Sequence, residues 1–293
     1  MTAKSQPRLA PNLLRNQQYS GTMATVLYNW PIFAGIMVFG IVSLATGTLL
    51  GSPWNWLLIL AGILVFGLAG SVLVGSFIVY DWGSEREYKR LADLGDLEQA
   101  NVVIDVTAGK LRGTRGLLPL VKGGHYFIVD IFDPEKMTDQ ALRRARELEP
   151  RLEADRRLYR RSARPDSLPI PHNWADVVYC SFSLHELGQV ADREVIFREF
   201  NRILKPGGRL LIAEHGRDWR NLLVFGPGAL SFFAPATWTR HIGEAGFTIT
   251  HHERWRGLVH LWVAEKENRR REAARQPIAS QTRGLAGQRS SGS

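Results

Sequence analysis

Two long apolar stretches dominate the first third of the chain. No Asp, Glu, Lys, Arg or His occurs between Asn16 and Tyr80, and the apolar stretches within this run cover residues 31–50 and 56–80. A helix needs about 20 apolar residues to cross a hydrocarbon core of about 30 Å. The short link Gly51-Ser-Pro-Trp-Asn55 separates the two stretches. The pattern therefore predicts a transmembrane hairpin of two antiparallel helices.

The positions of small and aromatic residues also agree with a transmembrane hairpin. Small residues recur at four-residue spacing on both predicted helices: Ser43, Gly47 and Gly51 on the first, and Gly67, Ser71 and Gly75 on the second. Because small residues allow close backbone approach in lipid, we expect them at the helix–helix interface, unless they only reflect how common Gly and Ser are in membrane helices. Aromatic rings fall at the predicted membrane–water boundaries: Trp30, Trp54, Trp56, Tyr80 and Trp82.

The net charge of +9 is concentrated at the two ends of the chain and around the hairpin. Basic residues flank the hairpin on both sides, and the link is uncharged: Lys4, Arg8 and Arg15 precede it, and Arg86, Lys89 and Arg90 follow it. Since basic flanks stay inside, we expect a two-pass protein of the cell membrane with both termini cytoplasmic. A cleaved signal peptide is the alternative, but the first stretch is too long and too far from the N-terminus. The nearly neutral globular part argues against a nucleic-acid partner.

After residue 80 the pattern changes to short apolar runs alternating with longer helix-like stretches. Four runs read as buried parallel strands, and two more form a final pair: 102–104, 126–129, 177–180 and 210–213, then 247–250 and 258–264. This alternation predicts an α/β fold with a Rossmann-like, doubly wound sheet after the hairpin. The predicted organisation is an N-terminal cytoplasmic segment (1–29), the hairpin (30–80), a charged connector (81–100), the α/β domain (101–264) and a basic disordered tail (265–293).

Acidic residues stand where the first two strands end. Asp105 belongs to the first strand and its following loop, and Asp130 ends the second. Ligands of open α/β sheets bind at the carboxyl ends of strands, and a carboxylate there can accept both hydroxyl protons of a ribose. The alternative is that Asp130 or Asp133 caps a helix that begins near Pro134.

A series of motifs in the second half of the domain indicates which protein family the chain resembles. It comprises Leu168-Pro-Ile-Pro, Ser183-Leu-His-Glu-Leu187, the turn Leu204-Lys-Pro-Gly-Gly-Arg209 before a strand, and Gly246-Phe247. From about Val102 to Ala264 the chain resembles the class I S-adenosylmethionine-dependent methyltransferases, particularly the ubiquinone/menaquinone C-methyltransferase and sterol methyltransferase group. The resemblance implies an enzyme that transfers a methyl group from S-adenosylmethionine.

The resemblance also implies which residues contact the cofactor: Asp105, Thr107, Gly109, Asp130, Ile131 and Phe182. The family's loop reads acid-x-Gly-x-Gly-x-Gly, and its glycine places hold Thr107, Gly109 and Leu111 here. Because glycine lets backbone approach the cofactor, we expect Thr107 and Leu111 to displace the loop or narrow the pocket. The family's adenine-binding acid has no clear match near Leu168.

Two histidines are the candidates for a catalytic base. His185 and His215 follow the strands that end near the cofactor's methyl group, where a base acts if the acceptor carries a proton of high pKa. Each could equally cap a helix or lie in a solvated loop. No metal site is expected, because His251 and His252 lack a third ligand at helpful spacing and Cys180 is the single cysteine.

These observations favour a membrane-anchored methyltransferase acting on a lipid, a quinone-type compound or an isoprenoid, since a tether concentrates the enzyme near a substrate in the bilayer. A non-catalytic binding or scaffold module with a degraded cofactor loop is the first alternative. A nicotinamide-dependent reductase fits Asp130 but not the Lys-Pro-Gly-Gly series.

Overall fold

The structure, a computed structural model, describes residues 20–268 of the chain. Most of the expected N-terminal segment, including Lys4, Arg8 and Arg15, lies outside these residues, and so does nearly all of the expected basic tail. The expectations for both ends stay predictions.

Two exposed apolar helices form the expected hairpin. Helix α2 covers Trp30–Leu49, and α3 covers Trp54–Ser76 and continues into a π-helical turn, Phe77–Asp81. Both are long and apolar enough to cross a membrane, with mean hydropathies of 2.1 and 2.7. Only 17% of the first apolar window and 6% of the second are buried, whereas the core helix of a soluble protein is mostly buried.

Small residues hold the two helices together, but not all the expected ones. The close contacts share a single antiparallel register: Gly40 against Phe66, Gly47 against Ile59 and Gly62 against Leu44. Ser43 and Gly47 lie at the interface, as expected. The prediction is wrong for Gly51, which lies beyond the end of α2 with open space beside it, and for the second helix, where Gly67 also faces open space. Ser71 and Gly75 contact Val224 of the globular domain instead of α2.

Seven strands form one mixed sheet after the hairpin. The strands are β1 (Val102–Thr107), β2 (His125–Asp130), β3 (Leu158–Ser162), β4 (Ala175–Ser181), β5 (Leu204–His215), β6 (Phe247–Trp255) and β7 (Val259–Lys266). Their order is β3-β2-β1-β4-β5-β7-β6, with β7 antiparallel to both of its neighbours and every other pairing parallel. The Rossmann-like fold is therefore confirmed. The order reverses between β1 and β4, which is where such sheets bind ligands.

Helices cover both faces of the sheet. They are α4 (Ser84–Gly95), α5 (Arg112–Leu117), α6 (Gln140–Leu148), α7 (Val190–Ile203), α8 (Trp219–Phe225) and α9 (Pro235–Glu244). Helix α4 falls in the segment expected to be a charged connector. It instead buries Tyr88 and Leu91 against the sheet, so this segment belongs to one of the two hydrophobic cores.

A further helix, α1 (Ser20–Tyr28), precedes the hairpin and packs against α6 and the π-helical turn. Its N-terminus is held by Asp81, whose carboxylate accepts hydrogen bonds from the backbone N–H groups of Gly21 and Thr22, both at 2.8 Å. A carboxylate at this position satisfies unpaired N–H groups and the positive end of the helix dipole. Asp81 therefore fastens α1 to the end of α3.

Replacing Asp81 by Ala should loosen α1. Losing a helix cap costs about 1 kcal/mol, so amide exchange within α1 should become roughly fivefold faster. Hydrogen–deuterium exchange of the full chain in detergent measures this, with Asp93→Ala, an exposed carboxylate on α4, as the matched control. Equal exchange in both variants would show that Asp81 does not fasten the helix.

Candidate functional site

Asp105 lies inside the domain rather than at its ligand-binding edge. Its carboxylate accepts hydrogen bonds from the hydroxyls of Thr114 on α5 and Tyr126 on β2. Burial raises the pKa of Asp105 to about 6, against the lowering effect of these two hydrogen bonds. Asp105 therefore ties α5 and β2 to the start of the loop.

Hydrogen bonds of the Thr107 side chain and burial of Leu111 hold the loop after β1, in which two of the family's glycines are absent. The Thr107 hydroxyl accepts a hydrogen bond from the Gly109 N–H and donates one to the Lys110 carbonyl oxygen. Leu111 is 3% exposed and packs into the core on the α4 side. Gly109 has a φ of +102°, a conformation that favours glycine. Both the Thr107 and the Leu111 side chains are buried within the domain, so of the two expected effects, a displaced loop or a narrowed pocket, the narrowed pocket has no support here.

Asp130 ends β2 directly beside Thr107. Its carboxylate accepts two hydrogen bonds from the Arg146 guanidinium, at 2.8 and 2.9 Å, and one from Arg160 at 3.2 Å. Arg146 also donates to the Ala108 carbonyl oxygen at 2.7 Å. Arg146 therefore bridges the ends of β1 and β2, the two elements assigned to the ribose.

The alternative role for Asp130 and Asp133 is also settled by the geometry. Helix α6 begins at Gln140, and Asp139 caps it by accepting from the Ala141 N–H. Asp133 accepts from the Glu135 N–H within a turn. Neither Asp130 nor Asp133 caps a helix, so the expected helix near Pro134 is wrong.

The residues present fit the ribose of S-adenosylmethionine on one condition. Gly109 and the Asp130 carboxylate lie on the same side of the cleft, as a ribose requires. A Cβ atom on Gly109 would lie 1.9 Å from Nη1 of Arg146, so the guanidinium fills the space beside the glycine. The Arg146 side chain is 24% exposed, so the guanidinium borders solvent. The Asp130 carboxylate and Gly109 can meet a ribose only where Arg146 has left Asp130.

The other two implied contacts differ in exposure. Ile131 is fully buried, and its N–H donates to the Thr107 carbonyl oxygen, so it aligns the two loops from inside. Phe182, after β4, is half-buried with a φ of +46° and contacts the His215 ring at 4.8 Å between centroids. Of these two residues, only Phe182 is partly exposed at the carboxyl ends of the strands.

A buried carboxylate organises the end of β4. Glu214 is fully buried and accepts from the N–H groups of Ser183 and Leu184 and from Nδ1 of His185, at 2.7 to 2.8 Å. Glu186 lies 3.4 Å from Nε2 of the same ring and also pairs with Lys110 at 2.9 Å. The contact between Lys110 and Glu186 could not be predicted from the sequence, because the two residues are 76 positions apart.

The pKa values of the two candidate bases are shifted in opposite directions. Burial lowers the pKa of His185, but the Glu214 and Glu186 carboxylates outweigh it and raise the pKa to about 10. Burial, reinforced by the nearby positive His185, lowers the pKa of His215 to about 3. At neutral pH His185 is therefore a fixed imidazolium and His215 a neutral ring.

Aromatic rings surround His215. The Tyr80 hydroxyl donates to Nε2 of His215 at 2.9 Å, and Nδ1 faces the Leu258 carbonyl oxygen. Phe232 stacks on the same ring, with centroids 4.7 Å apart, and Phe225 meets it edge-on at 5.3 Å. Tyr80 was expected at the membrane boundary, yet it turns inward to the site. The apolar hairpin thus ends in a residue, Tyr80, that contacts the edge of the sheet.

A comparison with protein families agrees with this geometry. Residues 104–212 match the family model described as a methyltransferase domain. This part of the chain is therefore similar to a methyltransferase domain, which agrees with the resemblance to the class I S-adenosylmethionine-dependent methyltransferases.

Curated relatives point to the same group. The ubiquinone/menaquinone biosynthesis C-methyltransferase UbiE of Pasteurella multocida (strain Pm70) is 31% identical over 138 residues, which cover 46% of this chain and 48% of the relative. UbiE of Shewanella sp. (strain ANA-3) is 36% identical over 61 residues, covering 21% and 23%. The chain thus spans half or less of the length of these relatives.

Solved structures are similar at low identity. The [4+2]-cyclase SpnF has a TM-score of 0.47 and 17% identity, covering 64% of this chain and 82% of SpnF. A SAM dependent methyltransferase from Aquifex aeolicus has a TM-score of 0.43 and 18% identity, covering 62% and 97%.

Histidine NMR tests the assigned charge states. The native pKa of His185 lies above its ordinary value of 6.5, so its contribution to stability is complete below 6.5 and is lost as the pH rises through about 10. At about pH 8 an imidazolium signal should persist in the full chain and disappear in His185→Gln. Neutral rings alone at this pH would contradict the assignment.

Proposed function

We propose that the chain is a membrane-anchored S-adenosylmethionine-dependent methyltransferase that acts on a lipophilic substrate, such as a lipid, a quinone-type compound or an isoprenoid. One observation carries the proposal. The apolar helix α3 continues into Tyr80, whose hydroxyl binds His215 at the sheet edge. A site joined to a membrane helix in this way meets a substrate that resides in the bilayer more often than a soluble one.

Anchoring is supported by the character of the hairpin surface. Large apolar side chains cover its outside, among them Phe39, Leu57 and Leu64, each more than half exposed. Water penalises such a surface, whereas lipid does not. Its length and composition suit a two-pass anchor of the cell membrane with the domain on the cytoplasmic side.

Cofactor binding falls to Asp130 and the backbone around Gly109, with Phe182 on the side of the methyl group. The cofactor supplies an electrophilic methyl group on a sulfonium. The chain's own contribution is to orient the acceptor and to exclude water with the rings around His215.

The histidines limit which acceptors suit the site. His185 already holds its proton, and a neutral His215 with so low a pKa is a weak base. General-base help is therefore small, which favours an electron-rich carbon or an oxygen that is already ionised.

The occupied carboxylate of Asp130 also favours a second candidate. A methyltransferase-like module that binds or scaffolds without catalysis would keep Arg146 on Asp130 permanently. The two functions differ in whether S-adenosylmethionine displaces Arg146.

Calorimetry of S-adenosylmethionine against the full chain in detergent separates them. Asp130→Asn should weaken binding at least about tenfold, because each charge-assisted hydrogen bond contributes about 1.5 to 3 kcal/mol. Arg146→Ala should tighten binding roughly tenfold, since the cofactor no longer competes with the ion pair. Asp133→Ala, which only loses a turn contact, should bind as the wild type does.

Two other results of the calorimetry would contradict these expectations. Equal affinity in the wild type and Asp130→Asn, measured on folded protein, would reject the ribose site. Absence of binding in both the wild type and Arg146→Ala would favour the scaffold.

Labelling of intact cells tests the topology. A cysteine at Ser52, in the hairpin link, should react with a membrane-impermeant thiol reagent from outside, and a cysteine at Glu85, on α4, should not. The buried Cys180 gives little background. The reverse labelling pattern would place the domain outside and overturn the proposed orientation.

A further inference from the structure

An exposed apolar surface follows the strand that carries His215. Helix α8 and the 3-10 turn after it, residues 219–231, are called the α8 segment here. Its outward side chains are large and apolar: Trp219 is 67% exposed, Leu223 70% and Leu230 61%. Arg220 is its single charged residue. A soluble surface rarely gathers such residues without a partner.

The other side of the α8 segment packs on the membrane helix α3. The Ser71 hydroxyl donates to the Val224 carbonyl oxygen at 2.8 Å. A Cβ on Gly75 would lie 2.2 Å from a Val224 methyl group, so only glycine permits this approach. Gly226, with a φ of +53°, lies against Leu68 in the same way. The segment is therefore fixed to the hairpin rather than free in solution.

The hairpin register gives the depth of the α8 segment. In the antiparallel register described above, Trp30 at the start of α2 lies level with Ser76 on α3. The contact with Leu68 lies eight residues further into the hairpin, roughly 12 Å along a helix. Interfacial helices bury their apolar face about 5–10 Å into the boundary between headgroups and acyl chains. A bilayer that surrounds the hairpin from Trp30 onward reaches the exposed leucines.

We propose that the α8 segment inserts into the lipid leaflet next to the domain, as a second membrane contact beside the hairpin. The inference rests on the proposed membrane anchoring. Lipid is the occupant because the surface is continuous with the hairpin, and because Arg220 stacks near Trp219 where headgroups lie.

Insertion has a consequence for substrate access. Phe225 belongs to the α8 segment and Phe232 follows it, and both contact the His215 ring. The α8 segment thus lies between the aromatic side of the site and the proposed lipid contact. A lipophilic substrate reaches the site from the leaflet along this segment, without crossing water.

Depth-dependent fluorescence quenching tests the insertion. The full chain is placed in nanodiscs after single cysteines at Leu223, Leu230, Phe39 or Gln99 are labelled with an environment-sensitive dye. Phe39 marks the middle of the hairpin, and Gln99 is an exposed position on the domain. Cys180 is fully buried and stays unlabelled. Lipids brominated near the headgroup or near the chain end act as quenchers.

The expected result is quenching of Leu223→Cys and Leu230→Cys by brominated lipid, at least about threefold stronger than quenching of Gln99→Cys. Quenching of Phe39→Cys alone would overturn the insertion and leave the anchoring intact. Absence of quenching at Phe39→Cys as well would overturn the anchoring itself. A dye at Leu223→Cys could instead report an apolar environment without being quenched by brominated lipid. If this signal rises with the number of chains per nanodisc, the surface binds a second copy of the chain, and the insertion is overturned.

Discussion

A continuous helical path joins the apolar hairpin to the edge of the sheet. Because α3 runs into its π-helical turn without a loop, Tyr80 and Asp81 have fixed positions relative to both parts. Tyr80 then binds His215, and Asp81 binds the start of α1. The orientation of the domain relative to the hairpin is therefore determined by packing and hydrogen bonds, and the strand-end site faces the same side as the end of α3.

Local patterns predicted the elements whose burial is local. The charge-free run predicted α2 and α3, and the apolar runs predicted β1, β2 and β4 to within three residues of their observed bounds. Strand β5 begins at Leu204, six residues before the predicted run, so the predicted Lys-Pro-Gly-Gly turn lies within the strand. Strand β3 was missed because Leu158–Ser162 lies at the sheet edge, where arginines replace apolar residues. Helix α1 was missed because its capping carboxylate, Asp81, lies about 60 residues later in the chain.

The candidate site divides in the same way. The place of Asp130 at the end of β2 could be predicted, since a strand end is a local feature. That Arg146 binds Asp130 could not, because the arginine comes from α6, 16 residues on. The charge states of His185 and His215 also could not be predicted from the sequence. Adjacent strand ends give one ring two carboxylates and the other an aromatic shell, and sequence spacing distinguishes neither.

The ion pair between Arg146 and Asp130 gives the proposed ribose site a partner for its buried carboxylate. Asp130 is 6% exposed, and a buried carboxylate without partners is costly. A protein that keeps such an acid must therefore supply positive charge whenever the ligand is absent. Arg146 meets this need because it can leave toward solvent, whereas Arg160, half exposed on β3, can stay to balance the charge. In the proposed site, cofactor affinity would be the difference between two sets of hydrogen bonds to the same carboxylate, so the arginine would determine the affinity as much as the acid does.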